Sequence, residues 1–271
     1  MYSYTKFHAK LDQIKLKINQ QFNSRSTSAS ILFVTGASSN HFKTLLQLLC
    51  NLSGLKIANP SMNVIVWDLG LSAYQLEFIK LEFSEFHVER FPFEKFPDWF
   101  DITKEAGQYA WKPHIIASSV DYAKNMDNSF LCWVDSGDLF YDLNLNPLIE
   151  YLSAYDLYSP ISSGDIKQWT HPEMLKFFKV KSWPFSVISL PMRNGAFLAF
   201  NVQKESVRNF INEFKDLASN RSCIAPTGSD RSNHRQDQAL FSLLYYRYLY
   251  QLKYPYNDRY LGFTIHNDVD G

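Results

Sequence analysis

The sequence predicts an α/β fold, with a mostly parallel central sheet flanked by helices on both faces. Three observations carry that expectation. Short apolar runs of strand length alternate along the chain with longer segments of helical spacing. The run 130–134 is apolar throughout, the pattern of a strand covered on both faces. Two acids, Asp135 and Asp138, then follow where that strand would end, and in open α/β sheets ligands gather at the carboxyl ends of the strands. With 271 residues, 46% apolar and 16% aromatic, the chain can fill one large core. The expected organisation is an amphipathic helix and joint over 1–30, then a single domain over 31–271.

Taken in order, residues 1–22 place Phe7, Leu11, Ile14 and Ile18 on one helical face and lysines elsewhere. Packing against the domain is its ordinary use, and docking on a membrane surface is the alternative. A Ser-rich joint leads into a buried strand at 31–34. The small-residue loop Thr35-Gly36-Ala37-Ser38-Ser39-Asn40-His41 and a helix over 42–52 complete an opening βα unit. Neither GxGxxG nor GxxxxGK[ST] is present, so no dinucleotide fingerprint or P-loop is supported. The loop can approach a base or ribose closely, or it is an ordinary βα turn.

A second strand over 63–68 ends in Asp68, a helix spans 72–83, and a weaker strand covers 87–91. The aromatic, proline-punctuated stretch 91–100 reads as a loop hugging the surface. Pro113 suits the first turn of a helix over 114–123 that turns Ile115, Ile116, Val120 and Ala123 to the sheet. Lys112 stands at that helix N-terminus, unfavourable unless an anion lies nearby, and phosphate is the anion it suggests. A helix over 147–154, a strand over 156–159, and a loop-rich stretch with a helix near 172–178 follow. Residues 192–201 read as one buried strand entered through Asn194-Gly195, and a capped helix spans 204–218. The last helix opens at Arg235-Gln236-Asp237-Gln238, with Asp237 suited to cap it. A strand-like segment at 261–265 precedes His266.

Lys plus Arg and Asp plus Glu are balanced at 27 each, which argues against a nucleic-acid partner. Three scattered cysteines form neither a disulfide framework nor a zinc site, so a reducing compartment is expected. No apolar run approaches the roughly 18 residues of a spanning helix, and residues 1–22 lack the apolar core of a signal peptide. A cytoplasmic protein follows, with peripheral contact at the inner membrane surface as the variant reading. Asp135 and Asp138 could hold a hard divalent cation that carries a diphosphate. The other reading is a turn in which Asp135 caps the backbone and Gly137 takes a positive φ. His234 and Arg235, just before Asp237, offer cations for a diphosphate.

Four blocks stand in a telling order: the small-residue loop, Ala110-Trp111-Lys112-Pro113, Trp133-Val134-Asp135-Ser136-Gly137-Asp138, and Asn194-Gly195 followed by His234-Arg235-Gln236-Asp237-Gln238. That order resembles GT-A glycosyltransferases over roughly residues 31–248. It is similar in particular to the glycogenin-like families and to a family of predicted glycosyltransferases with AWKP, WxDSGD and HRxDQ blocks. The resemblance implies a Rossmann-like GT-A sheet and a role in polysaccharide biosynthesis. It further implies transfer of a sugar from a nucleotide-diphosphate donor, expected to be a UDP-sugar, to a glycan or lipid-linked acceptor, with Mn²⁺ or Mg²⁺ as cofactor. By position, Asp237 and Gln238 take the catalytic place. Thr35, Ser38, Lys112, Asp135, Asn194, Gly195 and Arg235 hold the donor, and Asp135, Asp138 and His266 hold the metal. Gly137 departs from the DxD pattern, so Asp138 serves by a one-residue shift or Asp135 binds with fewer protein ligands. The alternative is a non-catalytic GT-A-like module that binds a glycan or a partner. A metal-dependent phosphatase or nucleotidyltransferase is a third reading.

Overall fold

The computed structural model describes residues 30–254, 261 and 263–264. The expected helix over 1–22 and His266 lie outside the described residues. Strand β1 (Ile31–Ala37) leads through a tight turn into α1 (Phe42–Ala58), then β2 (Asn63–Asp68), α2 (Ala73–Glu82) and β3 (His87–Arg90). Helix α2 starts where Ser72 and Gln75 exchange side-chain and backbone hydrogen bonds as a capping box. After a looped stretch come α3 (Trp111–Asn125), β4 (Phe130–Val134), β5 (Leu139–Phe140), α4 (Asn146–Tyr155) and β6 (Leu157–Tyr158). Next are β7 (Ile161–Asp165), α5 (Ile166–Trp169), α6 (Pro172–Phe177), β8 (Pro191–Arg193) and β9 (Phe197–Asn201). Helices α7 (Glu205–Ala218), α8 (Arg221–Ile224) and α9 (Gln236–Leu252) precede the short β10 (Phe263–Thr264).

Six strands form the central sheet in the order β3-β2-β1-β4-β9-β6. Strands β1 to β4 run parallel, and β9 alone runs against its neighbours β4 and β6. The mostly parallel sheet read from the sequence is therefore the one observed. Strict alternation along the strands divides the core in two. Leu32, Val34, Ile65, Leu131, Trp133, Leu198 and Phe200 face α3, α7 and α9. Phe33, Val64, Val66, Cys132, Val134, Phe197 and Ala199 face α1, α2 and α4. Both sides are closed over, which is why β1, β4 and β9 are buried along their whole length. The stretch 91–100 hugs this body as expected, with Phe96 stacked between Phe91 and Phe100 at 4.9 and 4.8 Å between centroids.

Three local expectations differ from the structure. The run 192–201 is two strands: β8 pairs with β7 in a separate two-stranded sheet, and β9 enters the central sheet. Asn194 to Ala196 make the transfer, held where the Asn194 N–H donates to the Pro160 carbonyl at 2.8 Å. An unbroken apolar run does not record a change of sheet. Strand β7 was hidden by its polar, largely exposed sequence and is defined by backbone pairing alone. Helix α7 follows Lys204, which makes no side-chain cap. Among the described residues, no helix is long and apolar enough to cross a membrane.

Phe241 of α9 is fully buried and meets Phe200, Phe210 and Phe214 edge-on at 5.6–6.2 Å. Phe241→Ala is expected to cost about 3–5 kcal/mol, read from the denaturant midpoint at unchanged m-value.

Candidate active-site cleft

The carboxyl end of β4 opens on a buried ion-pair triad. The Lys112 ammonium lies 3.0 Å from Asp135 Oδ1 and 3.1 Å from Asp237 Oδ2. It also donates a hydrogen bond to the Gly195 carbonyl at 3.1 Å. The buried ammonium is thus balanced by two carboxylates and one backbone carbonyl. Trp133 and Tyr109 present ring faces to the same ammonium at 5.4 and 5.9 Å. The anion that the position of Lys112 required is supplied by the chain's own carboxylates. Burial alone would push the Lys112 ammonium down, but Asp135 and Asp237 outweigh it and hold the group above the ordinary lysine range. Burial raises the Asp237 carboxyl, Lys112 opposes that, and the neighbouring Asp135 charge reinforces it.

Local structure explains each arm of the triad. Asp135 follows β4 directly, and its Oδ1 also accepts the Trp133 indole N–H at 2.6 Å. Its Oδ1 is therefore shared by Lys112 and Trp133, and Gly137 does not take the positive φ that a glycine turn would use. Asp237 lies inside the first turn of α9, and Arg235 occupies the cap position. The capping reading of Asp237 is corrected accordingly. Gly195 is a close-approach glycine: a Cβ there would stand 3.2 Å from Asp237 Oδ2 and 3.3 Å from Gln238 Cβ. Asn194 gives its Oδ1 to the Ala196 N–H at 2.7 Å, which leaves Nδ2 as the group it can offer.

A cleft of about 1090 Å³ lies over the triad. The loop that carries Ser38 forms one wall, joined to the β2 end where the Ser39 N–H donates to the Gly70 carbonyl at 3.1 Å. Asn194, Gly195, Arg235 and Gln238 line the other side. Most residues singled out from the sequence thus share one cleft. Thr35 and Asp138 are buried beneath it and are not among its lining residues.

The rim adds residues that the sequence did not single out. Residues Glu105 to Tyr109 hold five consecutive positive φ values between 50° and 58°, a left-handed turn with one glycine. Four non-glycine residues there cost about 1–2 kcal/mol each. Offsetting bonds run from the Trp111 indole to the Ala106 carbonyl (3.0 Å) and from the Gln236 amide to Gln108 (3.3 Å). Tyr109, delivered by this turn, accepts a hydrogen bond from Arg231. Arg235 stacks on Trp169, 4.2 Å from the ring centroid. His234 is not the cation read from the sequence. It is fully buried, accepts the His171 N–H at Nδ1 (3.2 Å) and meets the Ile224 carbonyl through Nε2 (2.9 Å). Nδ1 must stay unprotonated for that arrangement, and burial pushes the imidazole down to about 4. No signal in the spacing separates such a histidine from a ligand.

Among the described residues, no three metal-binding side chains converge. A hard cation that enters with a diphosphate needs only one or two carboxylates from the protein. Of the acids singled out as metal ligands, Asp135 lines the cleft with 33% of its side chain exposed, while Asp138 is fully buried.

The family model described as "Protein of unknown function (DUF1647)" matches residues 6–117. No curated protein matches the chain. Among solved structures, core-mannan synthase A from Aspergillus fumigatus, in its Mn/GDP form, is similar with a TM-score of 0.48 at 11% identity, over 82% of this chain and 71% of that one. The galactosyltransferase LgtC, in complex with donor and acceptor sugar analogs, gives 0.45 at 18% identity over 79% and 70%. A mannosyltransferase from S. cerevisiae gives 0.47 at 8% identity over 90% and 77%.

Two measurements probe the triad and its support. Lys112→Met leaves two buried carboxylates without their cation and is expected to cost about 3–5 kcal/mol in urea unfolding. Combining it with Asp237→Asn should recover part of that loss, whereas simple loss of lysine packing would not be recovered. His234 gives a pH signature. Above its ordinary value of 6.5 both folded and unfolded states are neutral and its contribution is complete. As pH falls, the unfolded chain takes up a proton that the folded site rejects, so stability declines toward pH 4 by about 3 kcal/mol. His114, also pushed down to about 4 by burial, adds a parallel decline. His234→Asn should flatten its share of that slope in unfolding curves taken between pH 7 and 4.5.

Proposed function

We propose that the chain is a glycosyltransferase, moving a sugar from a nucleotide-diphosphate donor to a hydroxyl acceptor. The observation that carries this reading is the Lys112–Asp135–Asp237 triad at the end of a parallel strand, inside a cleft walled by a small-residue loop on one side and Asn194-Gly195 on the other. Carboxylates at a strand end, a glycine-opened approach and a βα loop are the parts that a nucleotide-sugar site requires. A purely binding module has no need of a buried, charge-balanced acid pair, whose desolvation costs several kcal/mol.

In this reading the loop bearing Ser38 takes the nucleoside, with Thr35 supporting it from beneath. The diphosphate lies over the β4 end. Asp135 is the carboxylate that would hold Mn²⁺ or Mg²⁺ there, with Asp138 behind it, and that cation would supply positive charge to the leaving group. Lys112 fixes the two carboxylates and moderates their combined charge. Asn194 offers its amide to the donor sugar, and Gly195 lets the sugar approach the backbone. Asp237, paired with Lys112, faces the positive charge that develops at the anomeric carbon, and Gln238 orients the same ring. UDP is the expected nucleotide, and a glycan or lipid-linked hydroxyl is the expected acceptor. The order of the sequence blocks supports the same assignment.

Calorimetry with UDP and GDP, each with and without Mn²⁺, tests this reading. Wild type should bind one of them, and Asp135→Asn should lose any part of the affinity that depends on Mn²⁺. Asp237→Asn should keep nucleotide affinity while transfer to acceptor falls by about 10²-fold. Absence of binding to both nucleotides under all conditions would sink the reading.

A further inference from the structure

Two arginines at the rim are given no role in the transfer proposed above. Arg231 and Arg235 both line the cleft, and among the described residues neither is ion-paired with a carboxylate. They are held instead by aromatic faces. The Arg235 guanidinium lies 4.2 Å from the Trp169 ring centroid, and that of Arg231 lies 5.5 Å from the Tyr109 centroid while bonding its hydroxyl. The Trp169 face holds Arg235 and the Tyr109 hydroxyl holds Arg231 through Nη1, and both leave further N–H donors for a planar or tetrahedral oxyanion. Burial, and then the like charge of Arg231, pull Arg235 below the ordinary arginine range, so an anion between them relieves a repulsion already present.

Their place along the sheet tells which anion. The loop with Ser38 follows β1 and abuts the β2 end, on one side of β4. The Arg235 N–H donates to the Trp169 carbonyl at 3.1 Å, which ties Arg235 to α5 and hence to the β7–β8 sheet, on the other side, and Arg231 precedes it on the same loop against Tyr109. The triad stands between. A nucleotide diphosphate laid from the β1 loop to Asp135 ends its sugar at Asp237, and the arginines lie beyond it. Arg235, grouped by sequence with the donor contacts, then belongs to the far end of the cleft.

Resting on the transferase reading, we propose that Arg231 and Arg235 form an acceptor subsite for an acidic saccharide, one that bears a carboxylate, sulfate or phosphate near the hydroxyl that is glycosylated.

The test uses the full chain saturated with whichever of UDP or GDP it binds. It is titrated with four probes: methyl glucoside, methyl glucuronide, methyl glucoside 6-sulfate and methyl glucoside 6-phosphate. At least one acidic probe should bind about tenfold or more tightly than the neutral one, and the best of the three identifies the anion. Arg231→Gln with Arg235→Gln should erase that preference and leave nucleotide affinity within twofold. Should the Gln pair fail to fold by circular dichroism, Arg231→Lys with Arg235→Lys keeps the charge without the guanidinium fork, and a reduced preference is still expected. Equal binding of neutral and acidic probes by wild type overturns the proposal. So does a tenfold loss of nucleotide affinity in the arginine variants, which would return both residues to the donor and leave the transferase reading standing.

Discussion

A single ammonium group organises this molecule's functional end. Lys112 is fixed by one bond to each of three elements: Asp135 after β4, Gly195 between β8 and β9, and Asp237 in the first turn of α9. An ammonium removed from water is costly, and only a full set of well-placed acceptors offsets it. The arrangement is therefore rigid in a way that apolar packing is not, since displacing any one acceptor leaves a buried charge incompletely matched. The glycine at 195, the indole of Trp133 and the entry of α9 each answer a requirement set by that nitrogen. The two acids are held close to each other by the shared ammonium, although like charges would otherwise separate.

Much of this was legible in the sequence, for reasons that differ from residue to residue. Strands β1 and β4 betray themselves by unbroken apolar runs because both faces are covered. Asp135 is visible because the strand ends at it. Lys112 is visible as an electrostatic anomaly at a helix start, but spacing alone does not identify the compensating anion as Asp135 and Asp237 instead of phosphate. Asp237 was ambiguous between cap and site because helix starts are defined only to within a residue or two. Here that residue decides the matter. Tyr109, Trp169 and Arg231 were not legible. Their roles arise where separate loops meet, and no local pattern marks an arginine that will stack on a ring more than sixty residues away in the chain.

The left-handed turn from Glu105 to Tyr109 is the sharpest case. One glycine among five residues gives no warning of such a backbone. Gly107 is needed for a different reason as well, since a Cβ there would collide with the Phe100 carbonyl at 2.1 Å. Backbone strain of this kind persists only where surrounding contacts over-determine it, and it gathers at ligand-facing positions. The turn sets Tyr109 against both the triad and Arg231, so it links the deep and the outer parts of the cleft.

The triad also has a temporal meaning. Gln108 and Gln236, which brace the turn against α9, are 128 residues apart, and Lys112 and Asp237 close nearly as long a loop. Local helices and the β1–α1–β2 unit can assemble early, while contacts of such separation must wait for the chain between them to be ordered. On the ribosome, the first half of the domain emerges and can compact with Lys112 still lacking its second carboxylate. The site is therefore completed last, when α9 docks. A chain that ends before residue 236 carries all the parallel strands but lacks Asp237 and Gln238.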